Sequence, residues 1–248
     1  MNNFNFQLDK VEAAIRDVSN EISFMKNETN WESLTEEQLW SELVLCILGS
    51  KVRDDIVKWH FNDLKNKDLL NHKAISNNTN KAENKISRKL NKPIVTENKI
   101  IPKYPFSKIR ASYIIRTFNS LYKTDLSGLK EILNSARNSF EARDLLIDTC
   151  TGIGAKQASL FLRNILYCDN LAILDSRVTK YMYLSGLVKD RIEIGNKKQY
   201  IGYEKILREY ANSFNKPIGV LDLSIWTVMK VINEESNEYG NSSYVWWH

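Results

Sequence analysis

The sequence predicts an all-α fold, and two observations support that prediction. Its 248 residues include only nine glycines and four prolines, which leaves few positions for the turns that join many short strands. Apolar residues also recur at the three- and four-residue spacing of one helix face. The clearest stripes of this kind lie in residues 11–22, 39–48 and 221–232. With 43% hydrophobic residues, the chain can bury a core as one domain or as two lobes.

The chain carries no membrane signal. Its start, Met1-Asn2-Asn3, lacks the basic and apolar regions of a signal peptide, and no stretch approaches 18 consecutive apolar residues. We therefore expect a cytoplasmic protein with no membrane partner. No apolar surface stripe requires a second copy, so we also expect a monomer.

The cysteines and histidines predict neither disulfides nor a metal site. The three cysteines, Cys46, Cys150 and Cys168, are odd in number and widely spaced. They lie mostly in apolar segments, which favours buried free thiols. There is no four-cysteine cluster for an iron–sulfur centre, and the three histidines do not have metal-ligand spacing. We therefore expect no metal and no cofactor.

The positive charge is concentrated in residues 71–100. This segment has seven lysines and arginines against two glutamates, and seven minus two equals the net charge of +5 of the whole chain. It is also rich in asparagine and poor in apolar residues, which predicts a mobile basic insertion. Either the segment is an arm that binds nucleic-acid phosphates, or it is a solvated loop.

Residues 151–158 combine two glycines with a lysine. Gly152 and Gly154 permit a tight turn whose backbone N–H groups approach a ligand without a Cβ in the way. Such a turn before a helix is a phosphate site. Apolar residues from Ala158 onward repeat at helical spacing, so Lys156 should lie in the first turn of a helix. The positive end of a helix favours the neutral amine of a lysine, which is a nucleophile.

Two interpretations of this lysine and of a later aspartate stay open at this point. Lys156 is either a nucleophile or only a phosphate contact. Asp175 follows Lys156 by nineteen positions, after an apolar run and before a helical stripe. That context is typical of a helix N-cap, so Asp175 is either a cap alone or a cap that is also a catalytic carboxylate.

Residues 152–164 followed by 172–178 closely resemble the active-site segment of the helix-hairpin-helix DNA glycosylases. The strongest resemblance is to the archaeal-type 8-oxoguanine DNA glycosylase/AP lyases. Residues 40–48, 104–114 and 221–226 resemble further blocks of that family, in the family's order.

The resemblance implies a two-lobed helix-hairpin-helix DNA glycosylase fold with a central cleft. Residues 33–166 would form the lobe that contains the hairpin, with the basic insertion near 71–100. Residues 1–32 and 167–248 would form the second lobe, with a C-terminal extension. In this family the lysine and the aspartate face each other across the cleft.

The resemblance also implies a reaction on a nucleotide flipped out of double-stranded DNA. The amine of Lys156 would attack C1′, while the carboxylate of Asp175 stabilises the cationic sugar. The base would leave, a Schiff base would remain, and elimination of the 3′ phosphate would follow. Gly152, Gly154 and Ala155 would bind a phosphate beside the lesion, and a structural monovalent cation would sit among the hairpin carbonyls.

Three features depart from the family pattern. Lys51 stands where the family usually has an Asn or Gln that fills the hole left by the flipped base, so we expect Lys51 and Arg53 to contact DNA with altered reading of the opposite strand. The second departure is a C-terminal extension, since twenty-two residues follow Trp226 and end in Tyr244–His248. This tail either stacks on a base or packs on the body. Trp226 itself is either part of the base pocket or a core tryptophan. The basic insertion is the third departure.

Several functions therefore remain in view. The resemblance implies excision of 8-oxoguanine. A bulkier base, such as glucosylated hydroxymethylcytosine of viral DNA, would make the protein an anti-phage defence enzyme. A non-catalytic helix-hairpin-helix protein would bind DNA without product. A glycosylase that activates water through Asp175 would release the base but form no covalent adduct with Lys156.

Overall fold

The computed structural model describes residues 7–24, 31–123 and 128–238. Their secondary structure confirms the predicted helical class, since helices dominate and the sheet between them is minimal. The helices are α1 (Leu8–Phe24), α2 (Glu36–Leu48), α3 (Asp54–Asn66), α4 (His72–Asn77), α5 (Thr79–Leu90), α6 (Ser107–Tyr122), α7 (Leu129–Ser135), α8 (Ser139–Thr149), α9 (Ala155–Asn164), α10 (Ser176–Leu184), α11 (Lys197–Ser213) and α12 (Ile218–Glu238). The antiparallel strands are β1 (Ile94–Val95) and β2 (Ile100–Ile101), paired in the register Ile94 with Ile101.

The chain forms two compact units, one of Thr29–Cys168 and the other of Met1–Glu28 with Asp169–His248. The sequence predicted lobe borders after residues 32 and 166. The compact units have their borders after residues 28 and 168.

Helix α2 is central to the unit of Thr29–Cys168, where it packs against α3, α6, α7 and α9. Its start is specified locally, because Thr35 and Gln38 form a capping box. The predicted apolar stripe of this helix is confirmed, since Leu39, Leu43 and Ile47 are fully buried. This helix therefore anchors the turns and helices that follow it.

Glu36, in the first turn of α2, joins three elements of the same unit. Its Oε1 accepts hydrogen bonds from the hydroxyl of Tyr122 at 2.7 Å and from the backbone N–H of Leu129, and its Oε2 accepts one from the N–H of Lys130 at 3.1 Å. The two N–H groups belong to the first turn of α7, which otherwise has no side-chain cap at Gly128. One carboxylate thus supplies the cap of a helix 93 positions away in the chain.

The basic segment folds differently from the prediction of a mobile insertion. Helix α5 packs on α6, and its side chains Ile86 and Leu90 are completely buried. Two of the asparagines that suggested a loop are helix caps, because the side chains of Asn71 and Asn78 accept hydrogen bonds at the starts of α4 and α5. A few apolar residues at helical spacing therefore suffice to dock the segment, although its average composition is polar.

The second unit packs α1, α10 and α11 against α12. The predicted stripes of α1 and α12 are confirmed at Ile15, Leu221 and Ile225, all fully buried. Ser19 of α1 donates a hydrogen bond of 2.9 Å to Ser224 of α12. Small hydroxyl side chains at this contact let the two helices approach closely while each polar group is satisfied.

We expect the substitution Glu36→Ala to lower the free energy of unfolding by about 2 kcal/mol, because it leaves two helix N–H groups and a tyrosine hydroxyl without their acceptor. Glu37→Ala is the matched control. It removes an acidic residue from the same helix turn but is exposed, so its effect should stay within about 0.5 kcal/mol. Urea denaturation of the two variants measures the difference, and equal losses would contradict the capping role of Glu36.

Candidate active site and DNA-binding surface

The glycine turn before α9 packs against the side of α6. Gly152 has a φ of 80°, in the left-handed region, and a Cβ there would lie 2.1 Å from Cδ2 of Tyr113. One turn further along α6, the hydroxyl of Thr117 donates a hydrogen bond of 3.3 Å to the carbonyl of Thr151. Both the backbone conformation and the close approach of the tyrosine ring therefore require glycine at position 152.

Helix α9 begins with uncapped N–H groups. Gly154 is its N-cap residue in an extended conformation and has no side chain to accept a hydrogen bond from the first turn. Ala155 and Lys156 are the first two residues of the helix, which confirms the predicted location of the lysine. The N–H groups of this turn can therefore bind an anion, with the half-buried Lys156 beside them.

The turn between α2 and α3 carries the other two residues predicted to contact DNA. Lys51 and Arg53 are both exposed, and Lys51 has a φ of 61°. Arg53 forms a bidentate pair with Asp55, at 3.2 and 2.8 Å. A phosphate would therefore have to compete with this carboxylate for Arg53, whereas Lys51 has no ion pair among the described residues.

Helix α6 supports both turns through one face. The guanidinium of Arg110 donates a hydrogen bond of 2.9 Å to the carbonyl of Ser50, next to Lys51. Tyr113 and Thr117, which contact the glycine turn, follow Arg110 at three and seven positions and share its helix face. The two turns are thus positioned by a single rigid element of the same compact unit.

Asp175 is the N-cap residue of α10, as its sequence context predicted. Its Oδ1 accepts hydrogen bonds of 2.9 Å from the N–H groups of both Arg177 and Val178. Its Oδ2 lies 3.8 Å from the guanidinium of Arg177. The capping bonds occupy one oxygen and orient the carboxylate, so the second oxygen is held in a defined direction.

The irregular segment before Asp175 is buried and held by side chains of α11 and α12. Glu204 accepts a hydrogen bond of 2.9 Å from the N–H of Ala172, and Asp222 accepts one from the N–H of Ile173. The hydroxyl of Tyr200 donates to the carbonyl of Ala172 at 2.7 Å and accepts from the N–H of Leu174 at 3.2 Å. These bonds satisfy a buried backbone that no sheet would satisfy, and they fix where α10 begins.

Trp226 of α12 is half-buried, and two cations lie near its ring system. The guanidinium of Arg177 is 5.2 Å from the centre of its ring system, and the ammonium of Lys230 is 5.4 Å away. Arg177 therefore contacts both the Asp175 carboxylate and the Trp226 ring within one unit. Its Nε is buried with no hydrogen-bond partner among the described residues. Arg177 is not among the site residues predicted from the sequence, although its position two residues after a capping aspartate indicates that it lies close to that carboxylate.

Burial is the main cause of the pKa shifts of two titratable groups in this part of the chain. Burial, and secondarily the charge of Arg191, lowers the pKa of Lys180 in α10 below its ordinary value. Burial raises the pKa of the Cys150 thiol, just before the glycine turn, to about 12. Cys46, Cys150 and Cys168 are all free, as predicted. Their burial makes the first two inert as nucleophiles.

In the part of the chain that the structure describes, no three His, Cys, Asp or Glu side chains are grouped so as to hold a metal ion. The monovalent cation at the hairpin stays a prediction. None of the helices among residues 7–24, 31–123 and 128–238 has both the length and the apolar character of a membrane crossing. The tail that ends in Tyr244–His248 lies outside the described residues.

A family model described as 8-oxoguanine DNA glycosylase matches residues 20–216 of the chain. This range includes the glycine turn, Lys156 and Asp175, and it covers most of the 248 residues. The chain belongs to the 8-oxoguanine DNA glycosylase family. The resemblance inferred from the sequence is thereby confirmed.

Curated relatives carry the same family name. The 8-oxoguanine DNA glycosylase/AP lyase of Sulfolobus acidocaldarius is 36% identical over 123 residues, which are 50% of this chain and 57% of that protein. The protein so named from Methanocaldococcus jannaschii is 33% identical over 123 residues, 49% of this chain and 55% of that protein. The chain thus spans little more than half the length of these curated relatives.

Solved structures of 8-oxoguanine DNA glycosylases share the fold over more of the chain. The enzyme of Methanocaldococcus jannaschii aligns with a TM-score of 0.68 at 23% identity and covers 91% of this chain and 96% of its own. That of Thermotoga maritima aligns with a TM-score of 0.61 at 25% identity, over 88% and 89% of the two chains. The helix-hairpin-helix glycosylase fold therefore extends beyond the region of clear sequence identity.

We expect Gly152→Ala to destabilise the protein by at least about 2 kcal/mol, because it combines a left-handed φ with a clash against Tyr113. Gly154→Ala is the matched control. Its φ of −108° suits any residue, and the added Cβ would come no closer than 3.7 Å to the side chain of Gln157. Thermal unfolding of both variants tests the difference. Equal melting temperatures would show that the turn does not depend on the contact between Gly152 and Tyr113.

Proposed function

We propose that this protein is a DNA glycosylase with abasic-site lyase activity, which excises 8-oxoguanine from double-stranded DNA after flipping the nucleotide out of the duplex. One observation carries the proposal. A lysine lies in the first turn of an uncapped helix behind a two-glycine turn, in a chain matched by the family model across Lys156 and Asp175. A module that only bound DNA would use the turn, but it would need no carboxylate at the family's spacing from the lysine.

Lys156 supplies the nucleophile in this proposal. Its neutral amine attacks C1′ of the flipped nucleotide, and the glycosidic bond breaks as the base leaves with the bonding electron pair and takes up a proton. The nitrogen then loses one proton and O4′ takes up a proton as the sugar ring opens, which leaves a protonated Schiff base. Loss of a proton from C2′ then expels the 3′ phosphate and cleaves the strand. The N–H groups of Gly152, Gly154 and Ala155 would hold a neighbouring phosphate while this occurs.

Asp175 supplies negative charge to the reaction. The sugar becomes cationic as the base departs, and a carboxylate held in a defined direction stabilises such a charge without reorganisation. The capping bonds of Oδ1 provide that orientation, and Oδ2 is the oxygen that they leave out. Capping and catalysis are therefore compatible roles for one side chain.

Trp226 and Arg177 are our candidates for the base pocket. An aromatic ring that is half-buried offers a stacking face to a flipped purine. The side chain of Arg177 is partly exposed beside this ring, so its guanidinium can donate to a carbonyl or phosphate oxygen of the substrate.

We expect Lys156→Gln to abolish trapping by borohydride, because the Schiff base requires the lysine nitrogen.

Asp175→Asn should lower the single-turnover rate of base release by roughly 10²–10⁴-fold. It should keep the helix cap, since Asn caps as well as Asp, whereas Asp175→Ala should also cost about 1 kcal/mol of stability. Lys180→Gln is the control for an alternative lysine with a lowered pKa, and its covalent adduct should form as in the wild type.

The substrates for this assay are duplexes that contain 8-oxoguanine, uracil, an alkylated purine or glucosylated hydroxymethylcytosine. We expect the wild type to release 8-oxoguanine and expect this activity to be lost in Lys156→Gln and Asp175→Asn. Release of the bulky pyrimidine alone would replace the proposed substrate by a viral base. Base release by Lys156→Gln without trapping would assign the chemistry to water, and no release from any duplex would leave a DNA-binding module.

We expect Lys51→Asn to preserve the fold and to change the preference for the opposite base. Asparagine tolerates a φ of 61° better than lysine does, and its amide forms paired hydrogen bonds with a base edge. The excision rate opposite the preferred base, divided by the rate opposite each other base, should rise several-fold. Lys51→Gly is the control, because it relieves the backbone without providing an amide. If all three proteins discriminate equally, residue 51 does not read the opposite strand.

A further inference from the structure

The hairpin of β1 and β2 exposes an apolar pair. Val95 and Ile100 are direct cross-strand partners, and their side chains are 72% and 69% exposed. The next most exposed large apolar side chains that the structure describes, Leu166 and Val231, reach only 50%. Because side chains alternate along a strand, the neighbouring pair of Ile94 and Ile101 turns to the other face, where Ile101 is buried. One face of the hairpin is thus anchored through Ile101, and the other face exposes Val95 and Ile100 to solvent.

The turn that joins the two strands is closed by hydrogen bonds. The N–H and the hydroxyl of Thr96 donate to the carbonyl of Lys99 at 3.0 and 2.8 Å. The N–H of Lys99 donates back to the hydroxyl of Thr96 at 3.0 Å. This network holds Val95 and Ile100 side by side in solvent, in a geometry ready for a partner.

Cations line one face of the preceding helix. Lys81, Lys85 and Arg88 follow the three- and four-residue spacing of a single helix face, and all three are exposed. Among the described residues none of them forms an ion pair, whereas Lys89 on the buried side pairs with Asp63 at 2.9 Å. The three cations span about 10 Å along the helix, which is the length of several phosphates of a DNA strand.

The hairpin contacts α3, the helix that begins just after the turn that carries Lys51 and Arg53. The ammonium of Lys99 lies 5.2 Å from the ring centre of Trp59 in α3, about 9 Å along that helix from Arg53. After β2, the carbonyl of Pro102 contacts the ring nitrogen Nε2 of His60, also in α3, at 2.9 Å. The hairpin, α5 and the turn between α2 and α3 therefore belong to one region of the same unit.

We propose that this region is a second DNA-binding surface, in which Lys81, Lys85 and Arg88 contact phosphates and the pair of Val95 and Ile100 packs against the sugar and base edges of a groove. The proposal rests on the proposed function in that it takes DNA to be the partner. The proposed surface adds a DNA contact outside the glycine turn and Lys156, and it gives the basic segment a role in DNA binding.

The combination of groups favours DNA over a protein partner. An apolar pair of two β-branched side chains is too small to form the core of a stable protein interface. Rows of unpaired cations match a polyanion, and small apolar wedges beside such rows are the means by which many proteins contact the walls of DNA grooves. The whole net charge of the chain lies in this segment.

The ionic part is tested by the salt dependence of binding to an undamaged duplex. The triple variant Lys81→Gln, Lys85→Gln, Arg88→Gln should lower the slope of log affinity against log salt by about 2 to 3, since each phosphate contact contributes about 0.9. The control removes three charges from α11, with Lys197→Gln, Lys198→Gln and Lys205→Gln, and should keep a slope close to the wild-type value. Equal changes in both variants would attribute the effect to net charge and overturn the proposal.

The apolar part is tested at a fixed salt concentration. The double variant Val95→Thr, Ile100→Thr should bind the duplex roughly tenfold more weakly, with an unchanged salt slope. Threonine favours strands and both positions are exposed, so the melting temperature should not change. Ile201→Thr with Val231→Thr is the control for two other exposed apolar side chains. Wild-type affinity of the hairpin variant would overturn the apolar contact.

These binding assays involve no chemistry, so the two proposals fail separately. If no base is released from any substrate but both binding effects occur, the surface stands and the proposed activity fails. If 8-oxoguanine is released and both hairpin and helix variants bind like the wild type, the activity stands and the second surface is wrong.

Discussion

The position of Asp175 depends on the hydrogen bonds of the buried segment that precedes it. A backbone away from solvent must find partners for its N–H and C=O groups, and no sheet is available in this part of the described chain. Glu204, Asp222 and Tyr200 provide those partners. Because the two carboxylates are themselves almost fully buried, loss of any one bond would leave a desolvated polar group. The segment therefore has one arrangement, and the carboxylate at its end is held by it.

A comparable constraint operates in the other unit, where α6 determines the geometry of two turns at once. Its residues Arg110, Tyr113 and Thr117 bring a guanidinium, a ring and a hydroxyl to a single face. The tyrosine ring occupies the space that a Cβ on Gly152 would fill, so the glycine serves close packing as well as turn geometry. Both turns thus pack against one rigid helix, which holds their backbone groups in place.

The basic segment shows why composition alone misleads. Its average is polar and charged, and the sequence therefore predicted a mobile insertion. The structure instead uses its few apolar residues at helical spacing, with Ile86 and Leu90 buried against the body, and it uses two asparagines as caps. Periodicity and position carried the signal that the mean composition concealed. The exposed cations are consequently arranged on a rigid face.

The sequence by itself determined the helical class, the location of Lys156 in the first turn of α9, the cap at Asp175 and the family, because each depends on residues close together in the chain. The tertiary structure alone decided that Asp222 holds Ile173 across 49 positions, that Arg177 lies against Trp226 and that Val95 and Ile100 are exposed. These features depend on which faces of distant elements pack together. Local periodicity indicates that a face is buried, but it does not indicate what covers that face.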